Sequence, residues 1–429
     1  MLLSDPSTVA ATDVRAARRI RAAAAVLFAS LPSIARAADA GAAPETPATQ
    51  LDISGLLYGE ASRVAVIEPI ARLTHRFANG QSLSGQLGVD GITGASPTGA
   101  LPSGKVTTVT SASGNVTTSA ADEIPTTKFN DLRASFDADY TLPVGTLFKS
   151  TLGGHFSREK DYQSTGANAQ FSLDVLQRLS TITVGGGFNH DTSFPTGGTH
   201  SPFTDGTTVL TTDPQGKDVT TWMVGLSRVV TRRLLVGANV SGTNEKGYLT
   251  EPYKVLSVVD TGGYPVSTLS EKRPDTRARK SVLGSAVYQL ADDGLYLSYR
   301  RYWADWDIRS HTVDVRYRHE LGGDAWWEPH FRYYAQSEAR FHTWGFAEGA
   351  ALPQYATSDY RLGKLNTLTL GLMYGFHLLD YPGTFTIRGE YLSQFGEAHP
   401  EGAVGVQKGY SLMPGLSIGS LTAGYSIGW

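Results

Sequence analysis

The chain of 429 residues has no cysteine. Disulfides, thiolate metal sites, cysteine nucleophiles and covalent haem attachment are therefore excluded. Charge is also scarce: Asp, Glu, Lys and Arg make up 18%, against ~25% in an average soluble protein. The net charge is −3 and no basic run follows the N-terminal segment, which leaves no electrostatic footprint for a nucleic acid. After Ala37 no apolar run reaches the ~20 residues that a membrane-crossing helix needs. What is abundant is glycine, at 47, and tyrosine, at 20. That composition suits a β-protein with one face turned to something other than water.

The N-terminus reads as a targeting segment. Arg15, Arg18, Arg19 and Arg21 precede the apolar stretch "AAAAVLFASLPSIA" (22–35), and "ARAA" supplies a small-x-small cleavage site after Ala37. Residues 1–37 are expected to be a signal peptide and 38–50, "ADAGAAPETPATQ", a flexible periplasmic tether. Everything from residue 51 to 429 is expected to form one domain.

That domain alternates almost end to end. In "NDLRASFDADY" Leu132, Ala134, Phe136, Ala138 and Tyr140 share one face, and Asp131, Arg133, Ser135, Asp137 and Asp139 the other. "HTVDVRYRHE", "WEPHFRYYAQ", "TLTLGLMYGF" and "GTFTIRGEYL" repeat the pattern. Alternation over segments of about ten residues is the mark of a transmembrane barrel. Connections sharpen the reading. Short ones fall at 77–80, 142–145, 178–180, 231–233, 291–294, 321–324 and 379–383, and long ones at 94–127, 192–218, 247–275, 342–359 and 397–415. Tight periplasmic turns and longer external loops are what an outer-membrane barrel requires. Seven turns join fourteen strands, and "LDISGLLYGE" (51–60) and the segment 416–429 complete sixteen. The expected fold is an all-β antiparallel barrel of about 16 strands, within two either way. The Ser/Thr-rich run at 103–121 is expected at a mobile external tip.

The last residues, "TAGYSIGW", place Gly424, Ile427 and Trp429 in the polar–glycine–apolar–aromatic pattern by which outer-membrane proteins are recognised by their assembly machinery. Further up the chain, "SRVAVIEPIARLTHRFANGQSLSGQLGVDGITGASPTGALPS" (62–103) contains Arg-Val-x-Val-x-Glu-Pro at 63–69 and Asp-x-Ile-Thr-Gly-Ala-Ser-Pro-x-Gly-Ala at 90–100. It resembles the opening block of an uncharacterised barrel family, domain of unknown function 3570. "GYLTEPYKVLSVVD" (247–260) followed by "EKRPDTRARKS" (271–281) is similar to that family's second block. The resemblance covers 51–429 and implies an outer-membrane location. It also implies a partner, because similar proteins are encoded beside a small lipoprotein, a thioredoxin-like protein and a flavin transferase. That setting points to flavin-linked extracytoplasmic electron transfer.

Little in the chain carries catalytic chemistry. "GGGF" (185–188) lies on a strand pattern, where glycines allow close packing more readily than phosphate binding. "HELGG" (319–323) lacks the second histidine of a zinc protease. His311, His319, His330 and His342 could approach one another across strands, although such histidines more commonly serve as polar wall groups. His155 and Ser157 share a face without an Asp or Asn at a telling spacing. No cofactor, metal or enzymatic activity is expected.

The inward charges are more informative. Glu68, Arg72, Asp131, Arg133, Asp137, Asp139, Arg300, Asp314, Arg316, Arg318, Glu328, His330, Arg332, Arg388 and Glu390 all fall opposite the apolar face. An ion facing lipid at mid-depth costs ~2–4 kcal/mol, so these belong to the lumen. They either neutralise one another in a packed interior or line a wet channel as facing ladders. With no separate plug domain, a plug would be an inward-folded loop, 94–127 or 247–281, or a second protein. Two functions follow: a pore for small polar solutes or ions, or a sheath for an electron-transfer partner.

Overall fold

A computed structural model describes residues 48–429 except 62, 111–115, 206–207, 323–324, 379–380 and 414. The expected signal peptide, and the expected tether up to residue 47, lie outside the described residues.

Sixteen antiparallel strands close into one barrel. In chain order they begin with β1 (Ala48–Glu60), β2 (Val64–Arg76), β3 (Ser82–Pro97), β6 (Thr126–Val144), β7 (Phe148–Arg158), β8 (Tyr162–Val175), β9 (Ser180–Ser193) and β12 (Gln215–Thr231). They continue with β13 (Leu234–Gly247), β16 (Thr276–Leu290), β17 (Asp293–Ala304), β18 (Arg309–Gly322), β19 (Ala325–Gln336), β21 (Leu365–Leu378), β22 (Tyr381–Gly396) and β23 (Leu416–Gly428). Short strands within the loops form three small sheets: β4 (Thr107–Thr110) with β5 (Val116–Ser119), β10 (Thr199–His200) with β11 (Val209–Thr211), and β14 (Val255–Val259) with β15 (Pro265–Ser270) and β20 (Phe346–Ala347).

β1 begins at Ala48 rather than at residue 51, because Thr49 exchanges backbone hydrogen bonds with Trp429, 2.7 and 2.8 Å long, where β1 meets β23. The start of β1, the end of β23 and the seven turns therefore sit at one rim. Gly80 at φ +79° reverses the chain in "FANG" without the Cβ clash that other residues would meet. Long connections gather at the other rim, together with three short ones at 61–63, 159–161 and 305–308. The Ser/Thr-rich run forms the hairpin β4–β5 on its flanks, and its tip at 111–115 lies outside the described residues.

The outer wall is apolar. Leu57, Ile67, Leu87, Leu132, Leu152 and Leu370 are all exposed, one per strand at the alternate positions that the sequence pattern assigns to lipid. At the turn rim the rings of Tyr374, Phe376, Phe385 and Tyr425 follow one another at centroid distances of 5.4, 5.7 and 4.6 Å. Trp429 lies 65% exposed at the same rim. This is the aromatic girdle of an outer-membrane barrel. Gly424 faces inward, where a Cβ would come within 2.7 Å of Thr386 Oγ1, while Ile427 continues the outward face.

The two walls should differ sharply in their tolerance of charge. Leu152→Arg puts an ion into lipid near mid-depth and should cost about 2–4 kcal/mol. Gln170→Arg, beside it but facing inward, should stay within about 0.5 kcal/mol. Urea unfolding of the barrel in vesicles measures both, and equal costs would mean that the faces are reversed.

Candidate functional site

The inner wall carries charge of both signs, and its exposure changes along the barrel axis. On β6, Arg133 lies towards the loop rim and is paired with Asp90 of β3 at 2.5 Å, both side chains 7% exposed. Further towards the turn rim, Asp139 is 36% exposed and lies 3.7 Å from Arg72 of β2. β18 shows the same order: Thr312 is buried, whereas Arg316 and Arg318 are each 35% exposed. The lumen is open to water towards the turn rim and closed at the loop rim.

Between these zones lies a connected ionic cluster on β18, β19 and β22. His330 sits between two carboxylates, with Nε2 2.8 Å from Asp314 Oδ2 and Nδ1 2.9 Å from Glu390 Oε1. Carboxylate oxygens only accept, so the ring is satisfied on both sides only when it carries both protons. Arg332 lies 3.7 Å from Asp314. Arg316 reaches Asp314 at 3.6 Å and Glu328 at 3.8 Å. Arg388 bridges Glu328 at 3.3 Å and Glu390 at 3.4 Å. Seven of the sequence-identified residues thus meet in one network. Glu68 and Asp131 lie on the inner face of β2 and β6, and Arg300 on that of β17, outside this cluster.

The external end is closed by loops that fold into the mouth. Loop 98–125 contributes Leu101, loop 248–275 Val259, and loop 397–415 Ala403 and Leu412 to one apolar cluster. A second packs Tyr360 and Met413 against Tyr58, Val64, Ile92, Leu392 and Ile418 of the barrel wall. A third joins Leu249, Trp306, Ile308, Phe341 and Leu362. The cap is also hydrogen-bonded across the chain. The Leu101 amide donates to Ser257 Oγ at 2.9 Å, and Gln407 Nε2 donates to the carbonyls of Pro102 and Gly263, both at 2.7 Å.

Buried ions lock this cap. Arg273 Nε lies 2.6 Å from Glu271 and its Nη2 2.8 Å from Asp359, which also holds Arg361. Lys254, fully enclosed, donates to the carbonyl of Pro97 and to Ser96 Oγ, the latter at 3.3 Å. Burial pushes the Glu271 carboxyl above its usual range, against the opposing pull of Arg273, and pushes the Lys254 ammonium below its own. Two sequence blocks far apart in the chain meet here. Gly99, at φ +92°, has room for no Cβ, which would lie 2.6 Å from the carbonyl of Val255 and closer still to Ser358. The loop at 247–281 does fold inward, and "YKVLSVV" supplies its ordered strand β14. Loops 337–364 and 397–415 also belong to the plug, beyond the two loops that the sequence pattern points to. Their buried Phe341, Tyr360, Leu412 and Met413, unusual in external loops, are the signal that would have found them.

Other expected constellations resolve differently. The four histidines do not converge. His330 is inside, His342 is in the cap, and His311 and His319 are on the outer face, because odd positions of β18 face out and even positions of β19 face in. His155 does gain an acidic partner, across strands: Asp137 Oδ1 is 2.6 Å from Nδ1, and Ser157 Oγ is 3.3 Å from Nε2. Yet Ser157 is 4% exposed. Unbroken pairing of β6, β7 and β8 commits the amides around it, so no oxyanion donor pair is formed there among the described residues. Asp131, Glu159 and Asp161 bring carboxylate oxygens within 4.8 Å of one another beneath the loop rim.

Removing one member of a buried ion pair leaves its partner uncompensated. Arg273→Ala should therefore loosen the cap by about 3–5 kcal/mol while leaving the strands paired. Limited proteolysis at 337–364, together with unchanged heat-modified gel mobility, reads this out. Unaltered protease resistance would show that the ions do not hold the cap.

No curated protein matches this chain. Among solved structures it is similar to the outer membrane protein OpdK from Pseudomonas aeruginosa, at 9% identity over 90% of this chain and 99% of that one, with a TM-score of 0.41. It is also similar to OccK3 (OpdO) from the same organism, at 10% identity over 89% and 96%, with a TM-score of 0.41. A mutant of the ferric enterobactin receptor PfeA of P. aeruginosa matches at 8% identity over 86% and 57%, with a TM-score of 0.42. The family model described as "Protein of unknown function (DUF3570)" matches residues 17–427, and the chain belongs to that family.

Proposed function

We propose that the chain is an outer-membrane conduit for small polar solutes or ions, gated at its external mouth by the loop cap. One observation carries this reading: below the cap the inner wall bears water-accessible charges of both signs. Asp137 and Asp139 stand on β6, the fourth strand of the closed order, and Arg316 and Arg318 on β18, the twelfth, diametrically opposite. Each also has a local partner: His155 for Asp137, Arg72 for Asp139, Asp314 and Glu328 for Arg316, and Glu320 for Arg318. Accessible charges of both signs around a wet lumen hold and sort polar solutes. A purely structural neutralisation would bury these groups, as it does Arg133 and Asp90.

In this reading residues 1–37 are a signal peptide removed after Ala37, and the assembly machinery recognises Gly424, Ile427 and Trp429. A second reading keeps the barrel as a sheath, since the lumen opens only towards the periplasm, where a redox partner would enter.

Single-channel conductance of the mature chain, 38–429, separates the two. The expected result is rare openings in the parent protein and sustained, salt-proportional current in Arg273→Ala. Arg316→Glu combined with Arg318→Glu should shift that current towards cations. A folded Arg273→Ala barrel that stays silent would rule out the conduit and favour the sheath.

A further inference from the structure

The outer wall is apolar along most strands, but near the external rim of β16, β17 and β18 it carries basic side chains. Trp303 of β17 lies directly between Lys280 of β16 and Arg309 of β18 in the sheet register. Arg301, two residues below Trp303 on the same outward face, pairs with His311. Lys280 and Arg309 are exposed and Arg301 half-buried. None of the three forms an ion pair among the described residues. Asp305 and Asp307, on the connection above, do not pair with them. Further round the rim His190 Nδ1 lies 2.8 Å from Asp218 Oδ1, while Lys128 of β6 and Arg158 of β7 are exposed singly.

Arg301 is held in place rather than left to snorkel freely. Its Nη1 donates to His311 Nε2, so that nitrogen must accept and the ring proton lies on Nδ1, 2.6 Å from the Tyr299 hydroxyl. Arg301 is three residues below the end of β17, roughly 8 Å beneath the rim along a tilted strand. That is headgroup depth, where an outward ion costs little. Lys280 and Arg309 stand about 10 Å apart across Trp303, at two strand spacings, and Arg301 is about 7 Å below their row. Three cations around one aromatic ring, at the lipid-facing surface of the outer leaflet, match a phosphate group attached to acyl chains.

The geometry points to a binding site for a phosphorylated glycolipid of the outer leaflet, with Lys280, Arg301 and Arg309 on its phosphate and Trp303 and Tyr299 against its sugar and first acyl carbons. Charge complementarity selects this occupant. A neutral protein surface would leave three outward cations without a counterpart, and the inner-leaflet phospholipids lie at the opposite rim.

The test uses full-length protein purified from outer membranes, delipidated in detergent and titrated with bisphosphorylated lipid A, with binding read by native mass spectrometry. The parent protein should bind lipid A and prefer it to the dephosphorylated form. Replacing Lys280, Arg301 and Arg309 together by Ser should weaken binding by about a hundredfold, at about fivefold for each cation removed at an anionic surface. The charge-keeping set Lys280→Arg, Arg301→Lys and Arg309→Lys should retain it. Heat-modified gel mobility reports folding of each variant, and Lys280→Ser alone, with its fivefold loss, serves if the triple variant does not fold. Equal binding by the folded serine variant, or by dephosphorylated lipid A, would overturn the proposal. So would equal competition by phosphatidylglycerol.

Discussion

A backbone amide left unpaired in hydrocarbon costs several kcal/mol, and that penalty organises this molecule. A sheet can avoid it only by closing, and here closure is made by β1 against β23, down to the paired Thr49 and Trp429. Once the sheet is closed, each side chain has one of two destinations. The lipid takes the apolar members of each alternating pair, and the lumen takes every charge that cannot face it. The acids of β6 and the arginines of β18 are inside for this reason before any function is considered.

Closure creates a second problem. Sixteen strands enclose more space than wall side chains fill, and an unfilled mouth would leave the apolar Tyr58, Ile92, Leu392 and Ile418 facing water. The external loops fill it. They bring apolar residues down onto that ring and carry buried ions with them. Buried ions contribute less to net stability than their contacts suggest, because desolvation offsets attraction. They do impose register, since Arg273 has only one position in which Glu271 and Asp359 are both reached. A cap held this way is closed in one arrangement and has little to hold it in a shifted one.

Most of the barrel was legible because alternation and turn length are one-dimensional signals. Leu132 and Asp131 reveal their faces to anyone who counts by two, and the sign of the cost of a charge in lipid does the rest. The three short external connections were blurred because "REKD" at 158–161 has no glycine or proline to mark a turn. The cap was only half legible. Lys254 meets Pro97, and Gln407 meets Pro102, across separations that no local pattern encodes. The Asp137–His155 contact is hidden for the same reason: its partners are neighbours through strand register, not through spacing. The opposition of β6 and β18 appears only once the strand order is closed into a ring. The outward arginine at 301 breaks the alternation rule, and such a break reads as noise until its depth in the membrane is known.

The central claim is that the lumen communicates with the periplasm and is sealed from outside. The absence of native cysteine allows a direct measurement: single cysteines at Asp139 in the lumen and at Glu348 in the external loops, in barrels inserted into vesicles with the loops outward. A small charged thiol reagent added outside should label Glu348→Cys at once, and Asp139→Cys only after the vesicles are opened. Labelling of Asp139→Cys from outside at the rate of Glu348→Cys would contradict the sealed mouth.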